Sequence, residues 1–546
     1  MHNTLMPTKY IVVMGSLLSG IGKGIVTASL GKILRMYGLR AMPMKFDGYL
    51  NYDCGTMNPF RHGEVYVLDD KSEVDMDFGN YERFLNVSMT KDFSMTGGKL
   101  FSEIIEKERR GDFLGRDVQI IPHLTDLILE KIENVSKKNR LDVMLIEVGG
   151  TVGDIENSYF VEAMRQLALR HTTIFVNVVY VPELGTVGEQ KTKPTQIALR
   201  SLMQSGVQPH FIVCRSERPL GNPAKDKIAL FSNLTKERII DDHDEKSIYV
   251  APQHFMAQGL DREILRELGF EGLKLDKKAF NSWDSYAQSA VDNSGRPVSV
   301  AVVGKYVGLH DSYASVKEAL VHAGVANRAS LRLDWIESEE LENLDSNAIA
   351  KRLGASDCVL VPGGFGKRGI EGMINAIHYA REHGLPFLGL CLGMQLMTVE
   401  YARNVCMLKD ADSSEFNPST KHKVIDIMED QRAIRLKGGT MRLGAWPSKI
   451  AKGTLARKAY GKALVYERHR HRYEFNNAYR RRLEDAGLVI SATTQDGRLV
   501  EIVEWSDHFG VGTQAHPELK SRPEAPAPLF VEFIRSAMQA HPTRKP

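Results

Sequence analysis

Cysteine is scarce in this sequence: Cys54, Cys214, Cys358, Cys391 and Cys406 are the only five in 546 residues, and no two form a CxxC pair. That excludes a disulfide framework, gives no sign of a structural zinc site, and suits a reducing cytoplasm. Surplus charge is missing too. Lys plus Arg number 71 against 68 Asp plus Glu, a net charge of +3, so nothing pulls the whole chain toward nucleic acid or an anionic membrane. Long apolar runs are also absent. The run at residues 11–14 is soon broken by glycines and Lys23, and no stretch approaches about 18 uninterrupted apolar residues, so the sequence reads as soluble.

What is present is an ordinary globular fraction, 43% hydrophobic, in a chain too long for one core; two or three domains are expected. Short apolar, β-branched runs (residues 11–14, 143–146, 174–181 and 210–213) alternate with helical patterns up to about residue 269. That rhythm predicts a doubly wound, mostly parallel sheet. A polar stretch without regular pattern, residues 272–296, reads as a linker. The α/β rhythm resumes with strands at 298–303, 358–361, 386–390 and 509–513. The predicted organisation is two doubly wound α/β domains, 1–271 and 297–546, joined by 272–296 and ending in a frayed tail from residue 540.

In the first domain, Gly15-Ser16-Leu17-Leu18-Ser19-Gly20-Ile21-Gly22-Lys23-Gly24 follows an apolar strand and leads into a helical pattern. Glycines let backbone N–H groups turn toward a phosphate, and Lys23 and the helix N-terminus add positive charge. The spacing departs from the common Walker A pattern, since Gly24 stands where Ser or Thr usually follows the lysine. Glu147 sits at the carboxyl end of a strand, where ligands gather in open α/β sheets, and can hold Mg²⁺ against phosphates. Asp75 and Asp77, alternating to one strand face, are candidates for a second ligand. Lys191-Thr192-Lys193-Pro194-Thr195-Gln196 suits a polyanion such as a triphosphate; on composition alone it reads equally as a charged surface loop.

In the second domain Cys391 lies on a predicted strand-to-helix turn. Such a turn exposes the thiol, favours its thiolate, and supplies N–H groups for an oxyanion. His516 is the candidate base and Glu518 the carboxylate that orients it. The basic run at residues 468–472, read by itself, is a solvated charge run or an anion site.

Several runs resemble the amidoligase domain of CTP synthases: Lys45-Phe46-Asp47, residues 62–65, 81–84, 106–112, 147–156 and 191–196. The similarity extends over residues 9–523. The order Cys, His, Glu and the loop Pro362-Gly363-Gly364-Phe365-Gly366 resemble class I glutamine amidotransferases. The resemblance implies a P-loop-like amidoligase domain fused to a glutaminase domain, together making CTP from UTP, ATP and glutamine. It implies ATP binding by Gly20, Ile21, Gly22, Lys23, Gly24, Ile25 and Asp77, with Mg²⁺ on Asp77 and Glu147. UTP is expected at Ser19, Lys191, Thr192, Lys193, Pro194, Thr195, Gln196 and Lys227, with inhibitory CTP at Asp154, Ile155 and Glu156. Glutamine is expected at Gly364, Leu392, Gln395, Glu415 and Arg472. GTP as activator, a homotetramer and a cytoplasmic location follow from the same resemblance, with no nucleic-acid or membrane partner.

The chain departs from the family pattern at Ser16 (usually glycine), Gly48 and Cys54 (prolines), Asn80 (histidine) and Gly97 (threonine). A different amidoligase should lack residues 191–196 as they stand. A non-catalytic assembly subunit should have lost one of Lys23, Asp77, Glu147, Cys391, His516 or Glu518, and none is lost.

Overall fold

The computed structural model describes residues 7–540 except 185–187, 293, 433 and 435–437; the predicted tail beyond residue 540 lies outside them. Two compact units emerge, one of Met1–Asp53 with Asn80–Val291, the other of Cys54–Gly79 with Asp292–Pro546. The segment Cys54–Gly79 thus interrupts the first unit in sequence and groups with the second.

The first unit is built on a seven-stranded sheet. Across it the order is Ile239–His243, Phe211–Ser216, Thr173–Tyr180, Lys9–Ser16, Val143–Val148, Ala41–Asp47 and Ser94–Thr96. Every neighbouring pair runs parallel. The central strands are apolar and buried along nearly their whole length, as a parallel sheet covered on both faces requires.

The second unit carries a nine-stranded sheet. Strands Ala329–Glu337, Arg296–Gly304, Cys358–Val361, Phe387–Leu390 and Gly510–Thr513 pair in parallel. From Gly510–Thr513 the sheet continues antiparallel through Val500–Glu504, Val489–Thr494, Arg442–Ile450 and Leu464–His471. The parallel half matches the expected rhythm; the antiparallel extension carries no such rhythm because hairpin-type returns need no crossover helix.

The stretch read as an irregular linker contains a helix, Lys277–Val291. Phe280, Trp283 and Ala287 recur at helical spacing, and Trp283 and Ala287 are buried. The Trp283 indole donates to Tyr249 O at 3.0 Å and Lys32 Nζ lies 4.0 Å over its ring. Its polar residues are simply the outer face of a docked helix. Among the described residues no helix is long and apolar enough to cross a membrane.

Candidate functional site

In the first unit, strand Lys9–Ser16 ends in a loop at residues 17–22 and helix Lys23–Met36 follows. Gly20 and Gly22 have φ of 73° and 88°, which glycine adopts without steric cost. Lys23 Nζ donates to Gly150 O at 2.8 Å and Val152 N–H to Gly15 O at 2.8 Å. The phosphate-loop candidate and the run after Glu147 therefore form one surface. Gly24 and Ile25 lie in the helix's first turn, and Ser19 is exposed in the loop.

Glu147 stands in register with Val13 on one side and Lys45 on the other, 1% exposed. Lys45 Nζ approaches its carboxylate at 3.5 Å and Asp47 at 4.0 Å. Tyr81 donates its hydroxyl to Glu147 Oε2 at 2.5 Å. A buried carboxylate so held is a preorganised hard-oxygen donor, which is what Mg²⁺ takes. Lys45 and Tyr81 fall in runs that carried the resemblance, but with no role attached; the only signal for Lys45 was its strand position two before Asp47.

Asp77 opens helix Asp77–Leu85, and its N–H is accepted by Asp75 Oδ1 at 2.9 Å. The strand here is Glu73–Val74 alone, so Asp75 and Asp77 do not alternate along one strand face. Asp75 caps the turn into the helix instead.

The run at 191–196 proves to be a helix entrance. Helix Lys193–Gln204 has Thr192 at its N-cap and Pro194 in its first turn, a geometry that favours anions. Thr195 Oγ1 donates to Tyr180 O at 2.9 Å and Gln196 Nε2 to Thr192 Oγ1 at 3.0 Å. Lys191 pairs with Glu189 at 2.6 Å. Thr192 and Lys227, the latter on helix Asn222–Ser232, line one cavity of about 370 Å³ with Gln190, Arg218 and Gly221. Asp154 accepts Thr151 N–H at 3.2 Å, and Ile155 is 86% exposed in the short 3₁₀ turn Ile155–Asn157 with Glu156.

The family departures find local partners. Ser16 Oγ donates to Asn177 Oδ1 at 3.0 Å on the adjacent strand, and Asn80 Oδ1 accepts from buried Arg83 at 3.1 Å. A Cβ on Gly48 would stand 2.3 Å from Asn157 Oδ1 and 2.7 Å from Glu156 O, and one on Gly97 2.8 Å from Gly48 O. Gly48 and Gly97 are therefore adjacent, and both admit close backbone approach.

In the second unit, strand Phe387–Leu390 passes directly into helix Leu392–Asn404 through Cys391, whose φ is 50°. Its N–H donates to Thr513 O at 2.7 Å. The turn closes only because residue 393 is glycine, since a Cβ there would lie 2.2 Å from Val361 O. Cys391 Sγ accepts from Gln514 Nε2 at 3.4 Å and contacts Arg470 O at 3.9 Å.

His516 follows strand Gly510–Thr513 and its Nδ1–H donates to Glu518 Oε1 at 2.7 Å. Burial disfavours the imidazolium, but the Glu518 carboxylate and then the charge and hydrogen bonding of the Cys391 sulfur outweigh it and push His516 up to about 10. A Cβ on Gly363 would stand 2.9 Å from His516 Cε1 and 3.7 Å from Cys391 Cβ, so the Gly363–Gly364 loop faces both. A cavity of about 80 Å³ is lined by Gly363, Gly364, Cys391, Arg470, His516 and Glu518, among others.

Of the remaining glutamine candidates, Glu415 accepts Gly366 N–H at 3.0 Å. Burial raises its carboxyl against that hydrogen bond and the nearby Lys305. Burial in turn pushes Lys305 down to about 8, and its ammonium donates to Gly366 O. Leu392 packs beside Gly364. Gln395 is buried, donating to Tyr473 O at 2.9 Å and Gln514 Oε1 at 3.2 Å. Arg472 is turned to Gln431 and Thr440, at 2.6 and 3.0 Å.

Sequence reasoning missed Arg470, which lines the cavity itself and pairs with Glu73 at 2.8 Å. It also missed the contribution of Pro59, Glu64 and Val65 to the cavity. No local signal links that segment to Cys391, which it meets only through long-range contacts.

The family model described as CTP synthase N-terminus matches residues 9–270, and the one described as Glutamine amidotransferase class-I matches residues 308–536. Among curated proteins, the chain is 49% identical to a CTP synthase of Caldanaerobacter subterraneus over 97% of this chain and 98% of that one. It is 50% identical to a CTP synthase of Methanopyrus kandleri, over 97% and 99%. A CTP synthase of Pyrococcus furiosus is 48% identical over 97% and 98%.

Proposed function

This chain belongs to the CTP synthase family of glutamine-hydrolysing ligases and makes CTP from UTP in pyrimidine biosynthesis, and on that premise we propose how its residues divide the work. The loop at Gly20, Ile21, Gly22, Lys23, Gly24 and Ile25 cradles ATP phosphates. The γ-phosphoryl group passes to O4 of the uracil ring and ADP leaves, which replaces oxide, a poor leaving group, by phosphate, a good one. Ammonia then attacks C4, phosphate departs, and loss of a proton gives CTP. Glu147 and Asp77 would hold Mg²⁺, which when bound would neutralise charge on the phosphates. Lys45 and Tyr81 hold and aim the Glu147 carboxylate.

Lys191–Gln196 chemistry at a helix entrance, with Ser19 and Lys227, binds the UTP triphosphate; Asp154, Ile155 and Glu156 contribute to inhibition by CTP. In the second unit Cys391 attacks the amide carbon of glutamine after His516 takes the thiol proton. His516 returns that proton to the departing nitrogen, leaving a glutamyl thioester that water hydrolyses. Glu518 holds the imidazolium, and N–H groups by Gly364 and Leu392 receive the oxyanion. Glu415, Gln395 and Arg472 shape the glutamine pocket. GTP as activator, a homotetramer and a cytoplasmic location complete the reading; five scattered cysteines with no CxxC pair suit a reducing compartment.

What carries this reading is the site geometry in both units: Lys23 tied to the run after Glu147, and Cys391 beside a His516–Glu518 pair. The direct test supplies purified protein with UTP, ATP, Mg²⁺ and glutamine and measures CTP. Hydrolysis of glutamine with no CTP formed, with ammonium chloride equally ineffective, would overturn the assignment of the first unit.

A further inference from the structure

Beside the nucleophile lies a buried polar side chain to which the glutaminase chemistry described above gives no part. Strand Gly510–Thr513 runs parallel to Phe387–Leu390, with Thr513 opposite Leu390. The register therefore brings the next residue of each strand, Gln514 and Cys391, side by side. Gln514 is wholly buried, and its Nε2–H donates to Cys391 Sγ at 3.4 Å. Resting on the reading of Cys391 as the glutaminase nucleophile, we propose that Gln514 is a further catalytic residue, whose amide N–H stabilises and aims the Cys391 thiolate.

The Gln514 amide is held in one orientation. Its Oε1 accepts from Gln395 Nε2 at 3.2 Å, and the same Nε2 donates to Tyr473 O at 2.9 Å. Both N–H groups of Gln395 are thus committed. Exchanging the oxygen and nitrogen of Gln514 would set one NH₂ group against another and turn oxygen lone pairs toward the sulfur. The main chain is fixed as well: Gln514 N–H donates to Glu501 O at 2.8 Å and Cys391 N–H to Thr513 O at 2.7 Å.

A thiol is a weak acceptor, whereas a thiolate takes a charge-assisted hydrogen bond. The Gln514 bond therefore strengthens whenever the sulfur becomes negative, first when His516 takes the thiol proton and again when the glutamyl thioester breaks. In that second step His516 draws a proton from water and the hydroxide adds to the thioester carbon. The C–S bond then breaks with its electron pair on sulfur, and His516 returns the proton there. His516 changes charge through this cycle; the Gln514 amide does not, and remains a donor at every stage. Arg470 O, 3.9 Å from the sulfur, is an acceptor and favours the protonated thiol, so the amide opposes it.

The test is alkylation of Cys391 by iodoacetamide in the full chain, without glutamine and at neutral pH, followed by mass spectrometry. Gln514→Met keeps the bulk and removes the donor. It should slow alkylation about 10- to 100-fold, the scale of a hydrogen bond to a charged group, and lower glutaminase kcat by a similar factor with KM for glutamine unchanged. Ammonia-dependent CTP synthesis near the wild-type rate shows the fold intact. Gln395→Met leaves Gln514 in place but unclamps its amide, and should slow alkylation in the same direction by less; a residue that only contacts glutamine would leave this substrate-free rate unmoved. Should Gln514→Met not fold, the Gln395→Met rate decides, an unchanged rate counting against the proposal. Alkylation of Gln514→Met at the wild-type rate, or a raised KM with kcat unchanged, would overturn it. A wild type whose Cys391 resists alkylation would instead overturn the assignment of the nucleophile.

Discussion

The two strand-to-helix turns of this molecule solve opposite problems. Around Lys23 the strand and helix are separated by residues 17–22, where, apart from Leu17 at φ 85°, the left-handed positions are glycines. A Cβ on Gly20 or Gly22 would meet nothing within 4 Å, so this loop is open space bounded by backbone donors, suited to wrapping a large anion. At Cys391 no loop intervenes. A non-glycine residue is held at φ 50°, a strain of roughly 1–3 kcal/mol, and the surroundings enforce it: Thr513 O takes the Cys391 N–H, and Val361 O lies where a side chain on residue 393 would go. A binding loop is cheapest when relaxed, whereas a nucleophile must be presented in one orientation.

The sharpest way to break this comparison is to delete one turn's function and supply the other's product. Cys391→Ala should abolish glutamine-dependent CTP formation yet retain ammonia-dependent formation. Lys23→Ala and Glu147→Ala should abolish both, because phosphoryl transfer precedes attack by ammonia from either source. Loss of both activities in folded Cys391→Ala would contradict the division of labour.

A smaller effect is expected from Glu518→Gln. It removes the carboxylate that does most to raise His516, pushed up to about 10, so the imidazolium should lose its proton at lower pH. Nuclear magnetic resonance of the imidazole reads that shift directly, and glutaminase kcat should fall about 100-fold or more. A His516 titration unmoved by the substitution would remove Glu518 from the orienting role.

Gly393→Ala tests the enforced turn. Its Cβ must displace the backbone around Val361, costing about 1–3 kcal/mol, and moving Cys391 should lower glutaminase activity about 10- to 100-fold. Ammonia-dependent synthesis should stay near wild type. The corresponding Gly22→Ala should cost only the backbone term, about 1–2 kcal/mol, as thermal unfolding would show. Smallest of all, Lys193→Ala should raise the UTP concentration for half-saturation about tenfold, the scale of one charge-assisted hydrogen bond. An unchanged requirement for UTP would return the segment to an ordinary surface.

Where chemistry depends on consecutive residues, the sequence was readable. Gly22 and Lys23 at a helix start and Cys391 between Leu390 and Leu392 stand as their local patterns predict, because strand, turn and helix preferences act over a few residues. The helix Lys277–Val291 was misread for the converse reason: its buried stripe is narrow, Trp283 and Ala287, and the rest of its surface is polar. The pairing of Gly48 with Gly97 was equally invisible, since two departures far apart in sequence meet only through the Ala41–Asp47 and Ser94–Thr96 strands.

By itself the sequence determined the reaction class, the two α/β rhythms and the residues with intrinsic chemistry, because those depend on residue type and short-range order. The tertiary structure alone decided which groups tune them. Lys45 reaches Glu147 by strand register, and Tyr81 reaches it from the helix Asp77–Leu85. Arg470 and the segment Cys54–Gly79 join Cys391 in the second unit by contacts spanning hundreds of residues. Burial and charge at these places depend on distances in space, which no local pattern encodes.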